Sequence, residues 1–159
     1  RLNLDIEDQD KPVDISLTDD GLFITFYNRD DQPIFQPGTT EFTPWGRVVM
    51  DHISWLIEDA GMPAKIASHI PDNQNYPQGV AGWKLTTKMS NSVMNELLYF
   101  GLSEKQIQRI TGYGASQPIR SIDASNPRNQ RIEIELTIPG SDEAKRAPTS
   151  LATRRYSVE

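Results

Sequence analysis

The sequence predicts an α+β sandwich: a mixed four-stranded sheet with helices packed on one face, plus an N-terminal hairpin extension. Three observations carry this. Apolar residues alternate with polar ones near both ends of the chain, at Val13, Ile15, Leu17 and again at Ile132, Ile134, Leu136, Ile138, the period of a half-buried strand. Two middle stretches place apolar residues at three- and four-residue spacing, the period of an amphipathic helix. Glycine and proline fall between these stretches and mark where one element gives way to the next.

Taken in order, Val13, Ile15 and Leu17 lead into Asp19-Asp20-Gly21 and then Leu22, Ile24 and Phe26, which reads as a β-hairpin. Residues 28–38 are loop, with Ile34 and Phe35 as apolar anchors. The first long helix is well marked. Thr43 is a capping residue, Pro44 suits the first helical position, and Gly61 with Pro63 ends it. Trp45, Val48, Val49, Ile53 and Leu56 form its expected buried face, with His52 packed in the core or at its rim. Ala64–Ile70 is short, apolar and bounded by prolines, hence a core strand.

A second helix is expected from about Thr86 to Phe100, burying Met89, Val93 and Leu97, widened by Met94 and Leu98, and stopped by Gly101. Ser103-Glu-Lys-Gln106 has capping-box spacing and predicts a short third helix carrying Ile107 and Ile110. A glycine-punctuated turn, Gly112-Tyr-Gly114, precedes the last strand. Its alternation puts Arg131, Glu133 and Glu135 on the wet face. The domain is expected over 13–139, with an N-terminal extension at 1–12 and a flexible tail at 140–159, where Ser, Ala, Thr and charge replace apolar periodicity.

Composition narrows the function classes. A net charge of −6 over 159 residues offers no basic stripe for nucleic acid. With no cysteine, a disulfide framework, a thiolate metal site and a cysteine nucleophile are all unavailable. Two histidines without HExxH spacing do not suggest a metal centre, and no cofactor is implied. No Gly-x-Ser-x-Gly elbow occurs, and the paired carboxylates Asp19-Asp20 and Asp30-Asp31 sit in turns, so an enzyme is not expected. No run of about 18 apolar residues marks a membrane span, and the first residue is not methionine. A targeting or anchoring segment upstream is therefore expected.

Several motifs in sequence order resemble the OmpA-like peptidoglycan-binding domains, in the MotB flagellar stator branch. Pro33-Ile-Phe-Gln-Pro-Gly-Thr-Thr-Glu-Phe-Thr-Pro-Trp45 is similar to the family segment that opens its long first helix. Gly82-Trp-Lys-Leu-Thr86 resembles the family's Asn-Trp-Glu-Leu-Ser, and Asn129-Gln-Arg-Ile-Glu-Ile134 its Asn-Arg-Arg-Val-Glu-Ile. The resemblance covers about Leu17 to Ile138. It implies a periplasmic, non-catalytic domain of an inner-membrane-anchored bacterial protein, a homodimer that ties a MotA-like channel subunit to peptidoglycan. An alternative is a protein-interaction module in another envelope machine, such as a secretion system.

In that family a Gly-His-Thr-Asp strand end and an arginine one turn into the second helix hold a diaminopimelate end of the stem peptide. A carboxylate for the ammonium and a guanidinium fork for the carboxylate suit such a zwitterion. Here Ser68-His-Ile-Pro71 puts proline at the aspartate position, and Met89 occupies the arginine position. Asp72 and Lys88, one residue away, are the candidates to replace them. By the same resemblance His69, Asn129 and Arg131 are further peptidoglycan-binding candidates. Two readings stand for His69, binding rim or packing, and two for Arg131, ligand groove or cross-strand ion pair.

Overall fold

A computed structural model describes residues 11–138. The expected C-terminal tail, and all but Lys11 and Pro12 of the expected N-terminal extension, lie outside the described residues. Five strands, β1 (Val13–Thr18), β2 (Gly21–Tyr27), β3 (Ala64–His69), β4 (Ile107–Gly112) and β5 (Arg131–Thr137), form one sheet in the order β1-β2-β5-β3-β4. All neighbours are antiparallel except β3 and β4. Two helices, α1 (Pro44–Ala60) and α2 (Val80–Tyr99), cover one face. The α+β class holds, with five strands in place of four. The hairpin is part of the sheet, because β2 pairs along its whole length with β5, Gly21↔Thr137 through Tyr27↔Arg131.

The extra strand is where a third helix was expected. Ser103 does cap a turn, accepting from the Lys105 amide, but the turn is a single 3-10 turn over Glu104–Gln106. From Ile107 the chain runs parallel to β3, Ile66↔Ile110 and Ala67↔Thr111. A β-branched run beside an open strand edge gains more from pairing than from helix. Ile107 and Ile110 are thus strand residues, both half-buried.

α1 begins and ends where its capping residues place it. The Thr43 hydroxyl accepts from the Gly46 amide at 3.0 Å and donates to the Pro33 carbonyl at 2.6 Å, tying the helix start to the preceding loop. Gly61, at φ 67°, supplies the left-handed turn that closes the other end. The buried stripe is rotated from the expected one, to Val49, Met50, Ile53 and Ile57. Val48 and His52 face solvent, and Trp45 and Leu56 are only partly covered. The i, i+3, i+4 pattern was ambiguous because apolar residues sit on both sides of this helix.

α2 starts six residues before the expected Thr86 and has no side-chain cap. Gly82, four residues before the expected start, lies inside the helix. A Cβ there would stand 2.8 Å from the Pro77 carbonyl, so the glycine lets the helix settle on the loop before it. Met89, Val93 and Leu97 are buried as expected. They meet Ile24, Phe26, Ile66, Ile132, Ile134 and Leu136 in one core. A polar bridge crosses this core. Ser90 donates to the Thr111 carbonyl at 2.7 Å and lies 2.7 Å from the Ser68 hydroxyl, linking α2 to β4 and β3.

Candidate functional site

Two loops and the sheet end between them enclose a pocket of about 450 Å³. The β2–α1 loop contributes Asn28 to Asp30, Pro33 and Phe35 to Thr39, and the β3–α2 loop contributes Asn75, Tyr76 and Pro77. Leu85 and Met89 of α2 form the floor with Phe35. Side chains brace both loops. Asn28 accepts from the Ile34 amide at 2.9 Å, Phe35 and Phe42 stack with centroids 4.9 Å apart, and the Tyr76 hydroxyl donates to Gln130 Oε1 at 2.6 Å. On the far side Asn73 donates to the Ser125 carbonyl and accepts from the Asn75 amide. The pocket is therefore preformed, with an apolar floor and a polar rim, as small-ligand sites usually are.

Met89, at the position where the resemblance expects an arginine, lies on this floor and is buried. Pro71, at the aspartate position, is buried just past β3. The charged residues that line the pocket are Arg29 and Asp30, both from the β2–α1 loop. Sequence reasoning missed them, because Asp30-Asp31 reads as turn chemistry and nothing local says which way the loop folds. Tyr76 across the pocket registers that carboxylate: burial, and then the charge of Asp30, push its phenol above the ordinary value.

The five sequence-derived candidates divide into two groups. His69, Asn129 and Arg131 come together at the sheet end, where His69 and Arg131 are cross-strand partners. Arg131 corrects its expected place on the wet face. On the face opposite the helices Glu133 and Glu135 are partly covered, and Arg131 is buried, donating to the Asn129 carbonyl at 3.1 Å and the Gln117 carbonyl at 2.9 Å. Its Nε lies 3.6 Å from Glu133, which also bonds His69 Nε2. Tyr113 stacks on the other face of His69, 5.2 Å between centroids.

Asn129 is fully buried. Its side chain accepts from the Ile119 amide at 2.7 Å and donates to the Asp123 and Ala124 carbonyls, folding the 113–130 loop around itself. Asp72 and Lys88, by contrast, face solvent, Asp72 on its loop and Lys88 on the outer side of α2, and neither lines the pocket.

The Glu133 carboxylate shows how the cluster is balanced. Burial raises its pKa, but hydrogen bonding and charge from His69, then Arg131, outweigh burial and hold it below the ordinary carboxylate value. A depressed folded pKa means a contribution to stability that is present above the unfolded value and lost as pH falls through the folded one. We expect urea unfolding to show stability dropping as pH falls below about 4.5, the ordinary value for this group. Glu133→Gln should flatten that part of the profile; an unchanged slope would show that the carboxylate is not held by its neighbours.

Comparison with known proteins gives the architecture its context. The chain is 26% identical to motility protein B of Escherichia coli over 124 residues, 76% of this chain and 40% of that protein. The periplasmic domain of Helicobacter pylori MotB superposes with a TM-score of 0.66 at 15% identity, covering 91% of this chain and 92% of that one. The OmpA-like domain of FopA1 from Francisella tularensis gives 0.62 at 18% identity, over 82% and 84%.

The chain carries the OmpA-like fold of the MotB domains. The same fold occurs in the cell wall anchor of the type VI secretion system of Pseudomonas aeruginosa, TM-score 0.65 at 17% identity, over 86% of this chain and 93% of that one. No family model matches the sequence. The chain spans about 40% of the length of the curated relatives it matches. The pocket between the β2–α1 and β3–α2 loops is floored here by Phe35, Leu85 and Met89.

Proposed function

We propose that this chain is the periplasmic domain of a MotB-type stator subunit, part of an inner-membrane-anchored protein that ties a motor's ion channel to the cell wall. It binds peptidoglycan non-catalytically, as a homodimer beside a MotA-like channel subunit, with the usual aspartate–arginine ligand pair replaced. The observation that carries this reading is the alignment with motility protein B across 76% of the chain, joined to a preformed pocket containing the Met89 position. The sheet-end cluster of His69, Arg131 and Asn129 braces the 113–130 loop, through Arg131 to Gln117 and Asn129 to Ile119. Asp72 and Lys88 stand outside it, available to a polymer lying across the surface.

The type VI anchor of the same fold favours a second reading, an OmpA-like module of another envelope machine. Sedimentation with purified peptidoglycan sacculi tests wall binding. The domain is expected in the pellet, more weakly than a MotB domain that keeps both ligand residues. Its complete absence from the pellet, while that domain sediments, would refute wall anchoring and leave the interaction-module reading.

A further inference from the structure

Residues 36–41 form a tight loop, closed by the Gln36 amide donating to the Glu41 carbonyl at 2.7 Å and by the Phe35–Phe42 bridge. Its two ends wall two different sites. Residues 36–39 line the first pocket, whereas residues 40–42 line a second, open recess of about 450 Å³ whose other side is α2. Along α2 the first pocket ends at Met89 and the recess begins at Ser92, roughly 5 Å further on at 1.5 Å per residue. The two sites are neighbours.

Their chemistry differs. The largest group in the recess is Tyr99, 73% exposed, with the Phe100 ring edge-on to it at 5.3 Å. Arg47 lies over both rings, 5.3 and 5.6 Å from their centroids, and its Nε donates to Glu96 Oε1 at 2.8 Å. That bond orients the guanidinium and neutralises the pair. Among the described residues the Thr40 and Ser92 hydroxyls and the Asn95 amide, which also line the recess, have no hydrogen-bond partner. Glu41 is the one charge in the lining outside the Arg47–Glu96 pair, and a single exposed carboxylate holds a cation weakly. An exposed ring beside uncharged donors and acceptors suits a ligand with one apolar face and a hydroxylated edge, as a pyranose has.

We propose that the recess binds a saccharide ring of the wall's glycan strand, its C–H face on Tyr99 and its hydroxyl and N-acetyl groups on Asn95, Ser92, Thr40 and the Arg47–Glu96 pair. The inference rests on the wall-binding reading above and extends it from the peptide branch to the sugar strand that carries the branch. The peptide enters the first pocket on one side of the 36–41 loop while the strand lies on the other. Each contact is weak alone, but linkage through one polymer makes the second contact intramolecular and raises the affinity of both.

Chitotetraose, a peptide-free β-1,4-linked N-acetylglucosamine oligomer, separates sugar from branch in an amide chemical-shift titration of the chain. Shifts are expected at 40–42, 47 and 92–99, with 28–30 and 75–77 unmoved. Tyr99→Ala should weaken binding about tenfold and Asn95→Ala about threefold or more, each with an unchanged melting curve because both side chains are exposed. No shift at the recess, shifts at the first pocket instead, or a Tyr99→Ala variant that titrates like the wild type would overturn the sugar site. Sacculi that pellet the domain while chitotetraose fails to bind overturn the site and spare wall anchoring; failure of both removes the two together. Chitotetraose held at the recess by a domain that sacculi do not pellet upholds the sugar site and refutes wall anchoring.

Discussion

Arg131→Ala is expected to destabilise the domain by about 3 kcal/mol or more, the cost of leaving the carbonyls around a buried guanidinium without their charged donor. The guanidinium is buried and serves three groups at once: the Asn129 and Gln117 carbonyls and Glu133. Alanine leaves the two carbonyls without this donor and Glu133 with His69 as its remaining partner in the cluster. Because burial already pulls the Arg131 pKa down while Glu133 pushes it up, the charge is held there by its surroundings at some expense. Arg131→Lys should recover part of the loss, since an ammonium keeps the charge but lacks the fork that spans both carbonyls. Chemical denaturation reads this directly; a cost below about 1 kcal/mol for the alanine variant would mean the cluster is a surface ion pair.

The second large effect is expected at Gly112, at the end of β4. A Cβ there would lie 2.3 Å from the Thr87 amide nitrogen and 2.7 Å from the Thr86 carbonyl carbon. These are backbone atoms of α2 and cannot swing aside as a side chain would. Gly112→Ala must push α2 off the sheet, straining the Gly114 amide bond to the Thr86 hydroxyl, now 2.9 Å, and the Ser90 bond to Thr111. The expected cost is at the upper end of overpacking, about 3 kcal/mol or more. Gly38 supplies the contrast, since a Cβ there meets nothing within 4 Å and only its φ of 73° opposes a side chain. Gly38→Ala should cost about 1–2 kcal/mol, and equal losses in thermal unfolding would show that the α2–β4 approach is looser than described.

These two positions show what the sequence disclosed and what it withheld. Gly112-Tyr-Gly114 was legible as a turn, but its first glycine is required by a helix some 25 positions earlier in the chain, a contact no local pattern records. The hairpin, the α1 boundaries and the inner faces of β3 and β5 could be read from alternation and capping, because there local preference and tertiary packing agree. At Ile107–Gly112 they conflict: a capped turn starts a helix and strand pairing with β3 ends it. The candidate site followed the same division. His69, Asn129 and Arg131 were found by motif, yet their burial and mutual bonds depend on strand register and loop closure. Arg29 and Asp30 belong to a loop whose path is set by the Phe35–Phe42 contact and the Asn28 bonds, so their place on the pocket rim became visible only in three dimensions.

That the wall is held in the pocket between the β2–α1 and β3–α2 loops is tested most directly by amide chemical-shift mapping of the domain with soluble muropeptides. Perturbations are expected to concentrate at 28–39, 75–77 and around Leu85 and Met89. Shifts confined to the opposite sheet face around Lys65, Arg109 and Glu135, or to the exposed side of α1 at Val48 and Trp55, would contradict it.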